Sequence, residues 1–187
     1  ATLGALDAMV QDLDDDGYND IVFANYASAS TTNTDSYIYW GSASGWSSSD
    51  RTSIATNGAR TLTSADFDDD GYPDLVFCNY YSTSGTTYST NSYVYWGSSS
   101  GYSASDRTSF ATKGCFDTDT GDVNGDGWTD LAFTNYYDGS AYTLTSTVYY
   151  GAAAGFSPAS KTSLPTKGSI GVEIADTQHG VQEAHTA

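Results

Sequence analysis

The chain has 187 residues, with 23 acidic side chains against six basic ones and a formal net charge of −17. That charge argues against nucleic acid or an anionic membrane surface as a partner, and no apolar run is long enough to cross a bilayer, so no membrane insertion is expected. Aspartate outnumbers glutamate 21 to 2, Leu and Lys are scarce, and Tyr, Thr, Ser and Gly dominate, which predicts an all-β fold.

In chain order, a lead-in strand runs to Asp12 and is followed by the acidic loop Asp12-Leu-Asp-Asp-Asp-Gly-Tyr-Asn-Asp20. An apolar strand from Ile21 to Tyr26 comes next, then a Ser/Thr-rich loop from Ala27 to Asp35. An aromatic strand, Ser36-Tyr-Ile-Tyr-Trp-Gly41, precedes a fourth strand through Asp50-Arg-Thr-Ser-Ile54. The same series recurs. Its second acidic loop is Asp66-Phe-Asp-Asp-Asp-Gly-Tyr-Pro-Asp74 and its third is Asp122-Val-Asn-Gly-Asp-Gly-Trp-Thr-Asp130, each followed by apolar, aromatic and fourth strands. Four-stranded units of about 50 residues read as propeller blades, because one sheet cannot cover both its faces and stacked sheets can. The expected division is residues 1–54, 55–110 and 111–164 as three blade repeats, with 165–187 a partial fourth.

That fourth unit copies the lead-in from Pro165 to Asp176 and then lacks the loop carboxylates. Three blades and one inner strand are fewer than the usual four to eight. Further residues, or a neighbouring chain joined through a heterologous contact in a ring or filament, would complete the array. Nothing at the N-terminus reads as a signal peptide, so the chain reads as mature or excised.

Thirteen of the 23 acidic residues lie in the three loops, so the loops call for cations. Three Ca²⁺ would bring the formal charge from −17 to −11. Oxygen donors at positions 1, 3, 5 and 9, with Gly17, Gly71 or Gly127 permitting a sharp turn at position 6, suit a hard cation with a shell of about six or seven oxygens. The predicted ligands are Asp12, Asp14, Asp16, Asp20 and the Tyr18 carbonyl; Asp66, Asp68, Asp70, Asp74 and the Tyr72 carbonyl; and Asp122, Asn124, Asp126, Asp130 and the Trp128 carbonyl. Asn124 removes one charge, which makes the third site the weakest. Asp15 and Asp69, at position 4, are expected to face solvent without ligating. An EF-hand would need Glu at position 12, where Phe23, Phe77 and Phe133 stand.

The repeated D-x-D-x-D-G-x-x-D-apolar loop with its following Tyr-Trp-Gly strand resembles the FG-GAP/VCBS repeats of integrin-α-like propellers, over residues 1 to about 176. The resemblance implies extracellular blades with structural Ca²⁺ in the first hairpin loop, and ligands bound on the opposite face or between blades.

Catalysis has little support, since the only histidines, His179 and His185, lie in the degenerate tail and the carboxylates are spoken for as metal ligands. The expected function is a non-catalytic recognition or adhesion module for carbohydrate or an extracellular protein, with an assembly protein that self-associates as the alternative. Candidate ligand residues are Tyr26, Tyr80, Tyr81, Tyr136 and Tyr137, at the bases of the loops Ala27 to Asp35, Ser82 to Asn91 and Asp138 to Thr145. Tyr37, Tyr39, Tyr93, Tyr95, Tyr149 and Tyr150 are read as blade packing, and Arg51 and Arg107 as ion pairs with Asp50 and Asp106. Cys78 and Cys115 have no metal-ligand spacing; one disulfide or two small buried residues are both open readings.

Overall fold

The computed structural model describes residues 4–28, 31, 33–81, 87–157 and 159–175. Twelve strands, and no helix, occur among them, in three four-stranded antiparallel sheets. Sheet 1 is β1 (Ala5–Gln11), β2 (Asp20–Asn25), β3 (Ser36–Tyr39) and β4 (Arg51–Ile54). Sheet 2 is β5 (Ala59–Ala65), β6 (Asp74–Asn79), β7 (Ser89–Tyr95) and β8 (Arg107–Lys113). Sheet 3 is β9 (Cys115–Gly121), β10 (Asp130–Asn135), β11 (Thr143–Tyr149) and β12 (Lys161–Lys167). Each is a meander in chain order, so every neighbour pair closes through a local hairpin.

The last strands of sheets 2 and 3 run past residues 110 and 164 because their partners start early, with Ser89 opposite Lys113 and Thr143 opposite Lys167. Pro165 to Lys167 therefore complete sheet 3 instead of opening a fourth unit. Residues 169–175 form no strand of their own, yet they lie along β9 as β5 lies along β1. Leu62 N donates to Asp7 Oδ2 at 3.0 Å, and Val172 N and Ile174 N donate to Asp117 Oδ2 and Asp119 Oδ2 at 3.0 and 2.6 Å, all at a separation of 55 residues. Asp176, His179 and His185 lie outside the described residues.

The core sits between sheets. Val22, Ala24, Ile38 and Ile54 of sheet 1 pack on Leu62, Leu75, Phe77, Tyr93 and Tyr95 of sheet 2. Val76, Cys78, Val94 and Phe110, on the other face of sheet 2, pack on Cys115, Leu131, Phe133 and Tyr149 of sheet 3. Alternation along β6 thus serves two cores, and its six residues are all buried. The Cys78–Cys115 disulfide, with Cα atoms 5.4 Å apart, links sheets 2 and 3 and decides between the two readings of the cysteines. At the equivalent place between sheets 1 and 2 stand Ala24 and Ala59, both fully buried.

Arg51 and Arg107 do not pair with Asp50 and Asp106. Arg51 donates to Tyr39 Oη at 3.3 Å and stacks on Tyr37, and Arg107 donates to Tyr95 Oη at 2.7 Å and stacks on Tyr93. A strand residue faces its cross-strand partner, and Tyr39 and Tyr95 are the residues directly opposite Arg51 and Arg107.

Candidate metal centres and the opposite tyrosine face

The acidic loops join the first and second strands of each sheet, so antiparallel order puts all three at one end together with the turns after β3, β7 and β11. Position 6 is left-handed in each, with φ of 87°, 91° and 90° at Gly17, Gly71 and Gly127. The first aspartate folds the loop around itself. Asp12 accepts from Asp16 N and Gly17 N, at 3.2 and 2.9 Å. Asp66 accepts from Asp70 N and Gly71 N at the same distances, and Asp122 from Asp126 N and Gly127 N likewise. Asp16, Asp70 and Asp126 each accept from the N–H two residues on, at Tyr18, Tyr72 and Trp128.

The ninth position does more than the sequence reading assigned to it. Asp20 accepts Leu13 N at 2.9 Å and Gly41 N at 2.7 Å, through different oxygens. Asp74 does so with Phe67 N and Gly97 N, and Asp130 with Val123 N and Gly151 N. Each carboxylate is buried, and it ties the loop to the third strand of its sheet. The Gly that ends each aromatic strand is required there, because a Cβ at Gly41, Gly97 or Gly151 would lie 2.3 Å from the carbonyl oxygen of Asn19, Pro73 or Thr129.

Carboxylate oxygens of Asp12, Asp14 and Asp20 lie within 4.8 Å of one another, as do those of Asp66, Asp68 and Asp74. Asp16 and Asp70 stand outside these trios, and Asp122, Asp126 and Asp130 form none. In the third loop Asn124 Nδ2 donates to Asp126 Oδ2 at 2.9 Å, so an amide proton takes up part of the acceptor capacity. Asp15 and Asp69 are exposed and left-handed, with φ of 59° and 58°, and Gly125 holds that position in the third loop.

Burial, then the neighbouring carboxylates, raise Asp14 and Asp68 above the ordinary carboxylate range. Burial likewise raises Asp20 and Asp130 and pushes Asp74 up to about 7, against the pull of two backbone N–H donors. Asp122, bonded by the Gly127 N–H first among several backbone donors, is lowered. An all-oxygen set of close carboxylates that cannot all ionise comfortably fits a hard divalent cation. No helix flanks any of the loops, so the EF-hand alternative fails on structure as well as on position 12.

At the other end of the sheets lie the tyrosines. Tyr26 meets Tyr80 and Tyr81 at 6.2 and 5.9 Å between ring centroids, Tyr80 meets Tyr88 and Tyr136 at 5.3 and 6.4 Å, and Tyr137 meets Tyr88 and Tyr142 at 4.8 and 4.6 Å. All five candidate tyrosines thus belong to one aromatic surface, and Tyr88, Tyr142 and Phe116 were missed because no motif marks them. Tyr80 is buried and Tyr142 exposed. The parts of the candidate loops at residues 29, 30, 32 and 82–86 lie outside the described residues.

The FG-GAP-like repeat matches residues 12–77, a stretch that opens on the first ligand aspartate and includes both trios. Over that stretch the chain is similar to the FG-GAP-like repeat family. No curated protein matches the chain. Beyond the matched stretch, sheet 3 repeats the strand order and the loop hydrogen bonds of the FG-GAP-like segment.

Proposed function

We propose that this chain is a calcium-stabilised, non-catalytic recognition module of propeller type working outside the cell, with its glycan-binding surface at the tyrosine end. The continuous aromatic surface from Tyr26 to Tyr142, opposite the metal loops, carries the reading. Aromatic faces stack on the C–H faces of sugars, and the phenolic hydroxyls supply directional hydrogen bonds. In the proposed centres Asp12, Asp14 and Asp20 hold one Ca²⁺ and Asp66, Asp68 and Asp74 a second, while Asp122, Asn124, Asp126 and Asp130 offer a weaker third. Bound there, the cation would neutralise the loop while Asp20 and Asp74 keep the backbone bonds that brace the third strands.

The propeller arrangement is supported by the position shared by Leu6, Arg60, Phe116 and Ile170. These hold the same place in four successive lead-ins, and Leu6, Arg60, Phe116 and Ile170 all line one cavity of about 280 Å³. An extracellular setting is supported by the disulfide and by millimolar Ca²⁺, which would fill loops of moderate affinity. A glycan array probed with the chain in Ca²⁺ and in EDTA tests the reading, and absence of binding to any glycan in Ca²⁺ sinks it.

Self-association is a second reading. Ile21 and Phe23, on the face of sheet 1 away from sheet 2, match Leu75 and Phe77, which sheet 2 buries against sheet 1, and at the far side Leu164 is 49% exposed. A second copy seated on these faces would repeat the internal packing. Sedimentation in Ca²⁺ that finds only monomer across concentration removes this reading.

A further inference from the structure

The inner strands are irregular at one point, and the irregularity recurs. Pairing between β1 and β2 skips from Ala5 to Asp7, and between β5 and β6 from Ala59 to Thr61, which leaves Leu6 and Arg60 as the extra residues of β-bulges. The same shift brackets Phe116 in sheet 3. Bulges turn a side chain away from the regular pleat, and they recur beside binding sites. Here they bring Leu6, Arg60 and Phe116 together with Ile170 around the cavity.

Arg60 stands apart from the other arginines. Arg51 and Arg107 are each tied to a tyrosine hydroxyl. Arg60 has neither a hydrogen bond nor a carboxylate within ion-pair distance among the described residues, in a chain with 23 acidic side chains. Its guanidinium carbon lies over the Phe116 ring, 3.5 Å from the ring centre, and 5.4 Å from the centre of the Tyr80 ring. Stacking of this kind leaves the planar fork of N–H donors pre-set and unpaired. On the same wall Asp117 supplies a carboxylate whose Oδ2 already accepts Val172 N.

An oriented guanidinium beside apolar walls and one carboxylate suit a ring that carries both a carboxylate and hydroxyls. We infer that this cavity takes one acidic sugar residue, a hexuronic acid, its carboxylate forked on Arg60 and its ring against Phe116, Leu6 and Ile170. This deepens the glycan reading and rests on it. Asp117 would accept a sugar hydroxyl through its other oxygen. The cavity is near the lower limit of small-molecule sites, so it admits a single ring, with neighbouring sugars lying over the tyrosines.

The test titrates the Ca²⁺-loaded chain with oligogalacturonate and with the neutral galactose oligomer of the same length, followed by calorimetry. The acidic oligomer is expected to bind at least about tenfold tighter, with the preference shrinking as salt is raised. Arg60→Gln should abolish the preference and Arg60→Lys should keep only part of it, because an ammonium cannot form the fork. Melting in Ca²⁺ checks that both variants fold, and a Gln variant that fails to fold leaves the Lys variant to decide by the same ratio. Equal binding of the two oligomers overturns the inference and leaves the glycan reading standing. A preference that survives in Arg60→Gln, or undiminished in Arg60→Lys, overturns it too, since the acid would then be held elsewhere, for instance through Ca²⁺ at the loops. No binding of either oligomer, together with an empty glycan array, removes both.

Discussion

The two ends of the sheets are built on different principles. At the metal end the same bonds are made three times with little variation, from buried aspartates to the same backbone positions, and the local charge is left for a cation to balance. At the tyrosine end the rings differ from sheet to sheet, and only Lys113 and Asp138, 3.7 Å apart, form an ion pair among the described residues. The fold is thus held by repetition at one end, and the other is free to vary. The sharpest break in that comparison would be Asp74→Ala, which strands Phe67 N and Gly97 N inside the protein. Two charge-assisted hydrogen bonds at about 1.5–3 kcal/mol each put the loss at roughly 3–6 kcal/mol, a large share of a usual domain stability. Tyr81→Ala at the other end should leave the urea midpoint in Ca²⁺ nearly unchanged; similar losses for both variants would erase the distinction.

Acidity probes the same residue without mutation. In the metal-free chain Asp74 is pushed up to about 7 by burial, against about 3.9 unfolded. A carboxyl with a raised folded value binds its proton more tightly when folded, so it favours the native state at low pH and loses that contribution as pH rises from about 4 through 7. Urea midpoints in EDTA should therefore be higher at pH 5 than at pH 8. In Ca²⁺ the order should reverse, since the ligands must be deprotonated to bind. A metal-free chain most stable at pH 8 would show that the aspartate is not buried as described.

The junctions between sheets carry a second contrast. Asp7 and Asp117 each bond to the next lead-in, while the matching residue Thr61 leaves its hydroxyl without a partner, and at that junction the disulfide stands instead. Ala24→Cys with Ala59→Cys should form the equivalent bridge between sheets 1 and 2. A loop comparable to the native separation of 37 residues should add about 2–4 kcal/mol. Comparison of oxidised and reduced midpoints measures it, and two free thiols in the oxidised folded protein would refute the equivalence.

Much of this was legible in the sequence wherever the repeat spoke three times. The strand order, the loops and the first and third aspartates all follow from spacing and residue type. The bracing role of Asp20, Asp74 and Asp130 did not, because a carboxylate that binds backbone looks the same in sequence as one that binds metal. Nor did the buried set behind Asn79, whose Nδ2 donates to Asn91 O at 2.8 Å and whose N–H donates to Ser92 Oγ at 3.1 Å. The Asn-Tyr pair was visible, but its partners lie across the β6–β7 hairpin. Arg60 was illegible for the opposite reason: its counterparts are Leu6 and Phe116, so the repeat hides a position where the chain departs from itself.

Within the metal end, the third loop sharpens the comparison further. Asn124→Asp removes the amide that now donates to Asp126 and adds a charge near the cation. One added charge about 4 Å from the doubly charged cation contributes about 2 kcal/mol in water, or roughly thirtyfold in Ca²⁺ affinity at that site. Loop-by-loop calorimetry should find the third site weakest in the parent and brought level by the substitution. Three equal sites in the parent would show that Asn124 does not set the order.

The smallest effect concerns position 4. Asp69 is left-handed at φ 58° and exposed, and its counterpart in the third loop is Gly125 at φ 75°. An L-residue in that region carries strain of about 1–2 kcal/mol, reduced for Asp by local hydrogen bonding, and Gly carries none but loses more freedom on folding. Asp69→Gly should therefore change metal-free stability by under about 1 kcal/mol, on the favourable side because it also removes one of five crowded carboxylates. Its Ca²⁺ affinity should fall only slightly, since an exposed charge outside the trio is screened by solvent. If affinity at the second site instead falls as far as it does in Asp68→Asn, position 4 is itself a ligand, and the geometry that separates bracing, ligating and solvent-facing aspartates in this loop is wrong.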